Sequence, residues 1–263
     1  VRRNGQAGTL GQGAQAGLPI VLGYLSIGFA AGVVQRASGL SVAEVMLMSL
    51  LLYAGSAQFV IAGLIAAAFP AQLPVLVIIA TVFLVNLRHV LLSAALAPHF
   101  TKVSAGRNAL LGLQLTDETF VVAWTSLMRG TLPERGRAAW MAGLNLSAYL
   151  SWAAANLAGA LASGLVGDGR AIGFDFALPA MFGALLVLQF TASQSMNSGT
   201  AGPEVVMRRA RVRRMLAVAL LAAALAVGIA LLLPGPWNIL LATLVAATLS
   251  LVLDRTWKSA RKS

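Results

Sequence analysis

The chain has no cysteine and only two histidines, His89 and His99. Disulfide frameworks, iron–sulfur clusters and thiolate metal sites are excluded together, and a histidine-built metal site is not expected. Charge is scarce as well. Asp, Glu, Lys and Arg make up 10% of the 263 residues, against roughly 25% in an ordinary soluble domain. No Gly-rich loop suited to cradling phosphates is visible, and no nucleophile–base pair stands out. These gaps point away from an enzyme and from a resident cofactor or metal.

What fills the chain is apolar. Hydrophobic residues reach 59%, and the mean hydropathy is +0.83. They form continuous blocks rich in Leu and Ala, not the alternating pattern of a barrel strand. The chain therefore reads as all-α, a polytopic membrane protein. Eight segments stand out, at about 17–34, 43–66, 74–97, 108–128, 138–165, 174–192, 213–233 and 237–253. At about 1.5 Å per residue, most of them reach across a ~30 Å hydrocarbon core. Short joints marked by Pro and Gly, such as "FPAQLP" and "LPGPWN", connect them. One transmembrane domain is expected over 17–254, with cytoplasmic tails at 1–16 and 255–263. The polar, Gly-rich head carries no small-residue cleavage site behind a short core, so the first segment is expected to stay in the membrane.

The net charge of +11 would suggest nucleic acid in a soluble protein. Here the Lys and Arg flank the apolar blocks, where the positive-inside rule accounts for them, and no nucleic-acid partner is expected. The tract Arg208, Arg209, Arg211, Arg213 and Arg214 and the basic tail belong on the cytoplasmic side. That tract also suits anionic lipid head groups. Lys102 and Arg107 break the pattern, because eight crossings place them outside. A re-entrant segment among the second to fourth would accommodate them, so seven or eight transmembrane helices are expected. A faint internal echo relates the first two segments to the fifth and sixth.

Ionisable residues deep in the membrane are few. Arg88 and His89 lie in the third segment, Asp117 and Glu118 in the fourth, "LQLTDETFVVAW". One Asp at the centre of a membrane helix costs about 2.5–3.5 kcal/mol, so adjacent acids need a reason. Arg88 and Asp117 both lie roughly 15 Å from the same membrane surface, counted along antiparallel helices. An ion pair between Arg88 and one acid is natural there, and it reads equally as a structural staple. The other acid is left to carry a proton or to face a cationic ligand group. "TDET" also reads as a helix start, with Thr116 as N-cap and acids in the first turn. A second interruption is expected at "LLYAGSAQFV", where Tyr53, Gly55, Ser56 and Gln58 surround a run of small residues. Helices broken at mid-depth form ligand sites in transporters. Two polar stripes, Asn86–His89–Ser93 and Asn145–Tyr149–Trp152–Asn156, read either as cavity lining or as helix-to-helix hydrogen bonds. Ala155, Gly159 and Ser163 offer a packing face to another helix or subunit.

"YAGSAQF" at 53–59, "NLRHVLLS" at 86–93, "LTDETF" at 115–120 and "FDFALPAMF" at 174–182 resemble the AzlC family, the large subunit of bacterial branched-chain amino-acid exporters. The resemblance implies export of leucine, isoleucine, valine and methionine across the cytoplasmic membrane, driven by an ion gradient, with a small AzlD-type membrane subunit as partner. By depth and charge, Arg88, Asp117, Glu118, Tyr53, Gly55, Ser56, Gln58 and Asn86 are expected to surround the substrate, and Asp117 and Glu118 to serve proton coupling. A passive channel for small polar solutes and a non-transporting scaffold subunit are the alternatives.

Overall fold

The computed structural model describes residues 7–68, 75–132 and 134–166, with a scatter of helical positions between 183 and 248. The sixth to eighth segments, the arginine tract 208–214, the "FDFALPAMF" motif and the basic tail lie outside the described residues, those scattered positions aside. The chain divides into two compact units, Val1–Ala71 with Val85–Met196, and Gln72–Leu84 with Asn197–Ser263. Everything below concerns the first unit unless stated.

Every regular element among the described residues is helical. In order they are α1 (Leu10–Ala16), α2 (Leu18–Ala37), α3 (Val42–Leu47), a π-helical turn (Met48–Leu52), α4 (Gly55–Ala68), α5 (Val75–Leu96, which runs from the second unit into the first), a 3₁₀ turn (Ala97–Phe100), α6 (Ala105–Leu113), α7 (Asp117–Met128) and α8 (Arg137–Val166). Two stretches, Leu18–Ala37 and Val75–Phe100, are long and apolar enough to cross a membrane, and Val42–Leu52 and Gly55–Ala66 are shorter apolar helices.

Part of the Gly-rich head folds. Thr9 caps α1 through a reciprocal pair of hydrogen bonds with Gln12, which satisfies two otherwise orphaned N–H groups. Gly17 joins α1 to α2, and Pro19 in the first turn of α2 loses no helical bond there.

The 30-residue helix α8 is the centre of the fold, with α1, α2, α3, α6 and α7 packed on it. Small residues let α1 and α2 approach it to backbone contact. Gly13 lies on the carbonyl of Trp140 and Gly143 on that of Leu10; Gly32 lies on the carbonyl of Asn156 and Gly159 on that of Phe29. Residue numbers rise together along both partners, so α2 and α8 run parallel. In all four contacts a glycine of one helix meets the residue three positions before a glycine of the other. The register shifts along the contact, since Gly13 pairs with Gly143 and Gly17 with Ser147, each 130 positions on, but Gly28 with Ala155 and Gly32 with Gly159, each 127 positions on. The motifs are small-xxx-small on both sides, the pattern membrane helices use for close packing. The face at Ala155 and Gly159 is occupied by α2.

Both expected helix breaks are present. The second segment is divided by the π turn and by Tyr53, which adopts φ 44°, ψ 47°. A left-handed conformation costs a non-glycine residue about 1–2 kcal/mol, and tertiary contacts hold it. The Tyr53 ring meets Tyr149 edge-on at 4.8 Å, and the Tyr149 hydroxyl donates to the Leu50 carbonyl at 2.8 Å. The helix resumes at Gly55, where a methyl would strike the Trp152 ring at 2.8 Å. The fourth segment is divided between α6 and α7. Asn145 Nδ2 donates to the Leu111 carbonyl near the end of α6 at 2.9 Å, and Thr116 caps α7 in a reciprocal pair with Thr119.

Candidate functional site

The two breaks meet at Arg88. Its Nη1 lies 2.8 Å from Asp117 Oδ2 in the first turn of α7, and its Nη2 donates to Ser56 Oγ in the first turn of α4 at 2.7 Å. One planar guanidinium thus ties together the starts of two half-helices, a task its forked donors suit. Asp117 and Glu118 also gain from the positive end of the α7 dipole. The pair is not fully dry, since the Arg88 side chain is 32% exposed and that of Asp117 14%.

Glu118 is held from the other side. The Tyr24 hydroxyl, on α2, lies 2.7 Å from Glu118 Oε2 and 2.9 Å from Thr116 Oγ1. A phenol has one proton and can also accept. Donated to the nearer carboxylate, it leaves the Tyr24 oxygen open to Thr116; with Glu118 protonated, the direction can reverse. The Tyr24 ring stands edge-on to Trp152 at 5.1 Å, so the α2–α8 interface sets where this hydroxyl points.

Tyr24, Tyr53, Gly55, Ser56, Arg88, His89, Thr116, Asp117, Glu118 and Trp152 surround one small cavity of about 30 Å³, room for about one or two water molecules. The Tyr53 hydroxyl and Arg88 Nε are buried with no hydrogen-bond partner among the described residues. With both acids ionised the cluster carries one surplus negative charge. A proton, or the ammonium of a ligand, balances it; the Arg88 guanidinium offers the complementary contact to a carboxylate.

Of the residues singled out in the sequence, Arg88, Asp117, Glu118, Tyr53, Gly55 and Ser56 line this cavity. Gln58 does not. It is fully buried behind the wall, donating to Ser49 Oγ at 3.1 Å and accepting from Trp152 Nε1 at 2.9 Å. Asn86 is also outside the lining, one helical turn from His89 and Val90 along α5. The stripe on the fifth segment is mainly interhelical hydrogen bonding: Asn145 to α6, Tyr149 to the π turn, and Asn156 Oδ1 accepting from Gln35 Nε2 at 2.9 Å. Sequence reasoning missed Tyr24. The signal was faint, one hydroxyl-bearing aromatic in an otherwise apolar first segment, and only tertiary packing brings it to Glu118.

The AzlC protein family matches residues 19–166. The chain is 33% identical over 192 residues to the inner membrane protein YgaZ of Escherichia coli (strain K12), covering 72% of this chain and 76% of that one. An uncharacterized membrane protein of Archaeoglobus fulgidus is 30% identical over 214 residues, 79% of this chain and 87% of its own length. The branched-chain amino acid transport protein AzlC of Bacillus subtilis (strain 168) is 26% identical over 189 residues, 70% of this chain and 69% of its own. No solved structure matches the chain. The matched region runs from the start of α2 to the end of α8 and includes every residue that builds the cavity: the chain belongs to the AzlC family.

Proposed function

We propose that this chain is a secondary transporter that exports branched-chain amino acids across the bacterial cytoplasmic membrane, coupled to protons. The observation that carries this reading is the cluster at the two helix breaks. Arg88 with Asp117, and Glu118 with Tyr24, put both signs of charge and an exchangeable proton around one small cavity. A zwitterion with an aliphatic tail needs a cation for its carboxylate and an acid for its ammonium. Arg88 and Asp117 serve those ends, and Glu118 exchanges the proton with Tyr24 as its hydrogen-bonding partner. At about 30 Å³ the cavity is too small for an amino acid, so substrate entry requires the half-helices to part. The relatives named as an inner membrane protein and as a branched-chain amino acid transport protein support the location and the substrate class.

Eight crossings fit best. Three segments separate α2 from α8, and the two run parallel. A single re-entrant segment among those three would have made them antiparallel. Lys102 and Arg107 are then an exception to the positive-inside bias. A small AzlD-type subunit is the proposed partner, and the arginine tract 208–214 the contact to anionic lipid. The polar stripe on α8 and its small-residue face are largely taken up by internal packing, which supports this reading over the channel and scaffold alternatives.

The test is counterflow of labelled leucine in proteoliposomes, with and without an AzlD-type partner, with lysine and glutamate as competitors. Leucine counterflow that neither charged amino acid suppresses is expected. Glu118→Gln, in protein that still folds, should lose pH-driven flux and keep exchange. A pH dependence equal to the wild type would remove Glu118 from the coupling step.

A further inference from the structure

A second, larger cavity, open on one side where Val90, Ala94 and Ala109 are exposed, lies next to the first. It measures about 390 Å³ and is bounded by α5, the 3₁₀ turn, α6 and α8, within the range of about 300–1,000 Å³ typical of small-ligand pockets. Leu96, Phe100, Leu111, Leu115 and Met141 form its walls, and no charged side chain lines it. The Asn108 amide nitrogen, also in the lining, donates to the carbonyls of Phe100 and Val103 at 3.1 and 3.3 Å, which leaves the Ser93 hydroxyl and the Asn108 amide oxygen as the polar groups of an otherwise apolar lining.

The two cavities share a partition. His89 lines the charged cavity and Val90 the apolar one; Thr116 lines the charged cavity and Leu115 the apolar one. Sequence neighbours on α5 and at the α6–α7 break thus line both, which makes the two cavities adjacent there. The charged cavity can hold a charged end but not an amino acid. The apolar cavity can hold an aliphatic tail but has nothing for a charged end.

We propose that the apolar cavity receives the aliphatic side chain of the transported amino acid while its charged end is held at the α6–α7 break beside Arg88, Asp117 and Glu118. This rests on the amino-acid transport reading above and adds to it the residues that select the side chain. A lysine or glutamate side chain in this space would be desolvated without a partner. An alanine would leave most of it unfilled. A single methylene in such a pocket changes discrimination by about 10-fold or more, so the ranking of substrates should follow the volume of this cavity.

The experiment changes that volume in both directions and reads the ranking. A methyl built at Gly112 would sit 3.3 Å from Ser93 Oγ and 3.8 Å from its Cβ, so Gly112→Leu extends into the space between α5 and α6. Met141→Ala, from a residue 2% exposed on α8, enlarges the opposite wall. Inhibition of labelled leucine counterflow by alanine, valine, leucine and phenylalanine is measured for both and for the wild type, on protein that elutes as a single species. Gly112→Leu is expected to cut the preference for leucine over alanine by about 10-fold or more. Met141→Ala is expected to raise acceptance of phenylalanine relative to leucine by a similar factor. An unchanged ranking in both variants overturns the proposal while wild-type leucine counterflow leaves the transport reading standing. Absence of wild-type counterflow ends both. A lipid that co-purifies with the wild type, is lost from Gly112→Leu, and leaves the ranking unmoved also overturns it, assigning the cavity to an acyl chain. If Gly112→Leu does not fold, Met141→Ala decides alone.

Discussion

The parallel α2–α8 contact underlies both the span count and the position of Tyr24, and it can be tested at Gly28 and Gly32. A methyl built at Gly28 would stand 2.8 Å from Ala155 Cβ, where carbon atoms normally rest about 3.5–4.0 Å apart. Relieving this requires the helices to part by roughly 1 Å, and overpacking of that kind costs about 1–3 kcal/mol. The better helix propensity of alanine returns up to about 1 kcal/mol, so a net loss of about 1 kcal/mol is expected for Gly28→Ala. At Gly32 the obstacle is the backbone carbonyl of Asn156, which no rotamer change can move. Gly32→Ala should therefore fall at or above the top of that range, about 3 kcal/mol. At about 2–4 °C per kcal/mol, the thermal midpoint of purified protein in detergent should drop by a few degrees for Gly28→Ala and by roughly 6–12 °C for Gly32→Ala. Adding Ala155→Gly moves the methyl from one helix to the other, and should restore Gly28→Ala but not Gly32→Ala. Leucine flux should fall with the midpoint for Gly32→Ala, because parting α2 from α8 draws Tyr24 away from Glu118. A wild-type midpoint for Gly32→Ala, or a Gly28→Ala that Ala155→Gly fails to rescue, would refute the parallel packing.

Other outcomes follow from the site. Asp117→Asn leaves Arg88 without its acid; fully buried pairs lose about 3–5 kcal/mol in this way, and the partial exposure of Arg88 reduces the expected loss to about 2 kcal/mol, measurable as a lower thermal midpoint. The double variant Arg88→Met with Asp117→Leu should recover most of that stability yet show no leucine counterflow; recovered flux would make the pair a structural staple only. Tyr24→Phe removes a hydrogen bond to a charged group worth about 1.5–3 kcal/mol, and should alter the pH dependence of flux while leaving leucine competition unchanged. Arg88→Lys cannot reach Ser56 and Asp117 with one planar fork, so leucine should compete about 10-fold less well; unaltered competition would show that the fork is not needed.

Several features were legible because they depend on local chemistry. A chain with so little charge and such long apolar runs reads as helical in a membrane, since only helices and closed barrels satisfy every backbone group there and continuous, non-alternating runs do not suit a barrel. The break before Asp117 could be read because Thr116 followed by acids is a helix start wherever it occurs. The break at Tyr53 could be read from a cluster of small residues inside an apolar run. The Arg88–acid pair followed from scarcity, because a lone cation and two acids at one depth have few other partners. Which acid takes Arg88 did not follow. Asp117 and Glu118 point in different directions from the first turn of α7, and the choice between them is made by where α2 and α5 stand. The same holds for Gln58, whose polarity suggested ligand contact but whose place behind the wall is dictated by Trp152 and Ser49.

The sequence by itself determined the helical membrane class, the two interruptions and the charges that meet at them, because composition, capping and depth along a helix are properties of short stretches. Only the tertiary structure decided that the first and fifth segments lie parallel in glycine-to-backbone contact, that Tyr24 holds Glu118, and that an apolar cavity adjoins the charged one. Those depend on which side chains face each other across separate helices, and contact between residues about a hundred positions apart leaves no periodic trace in either one.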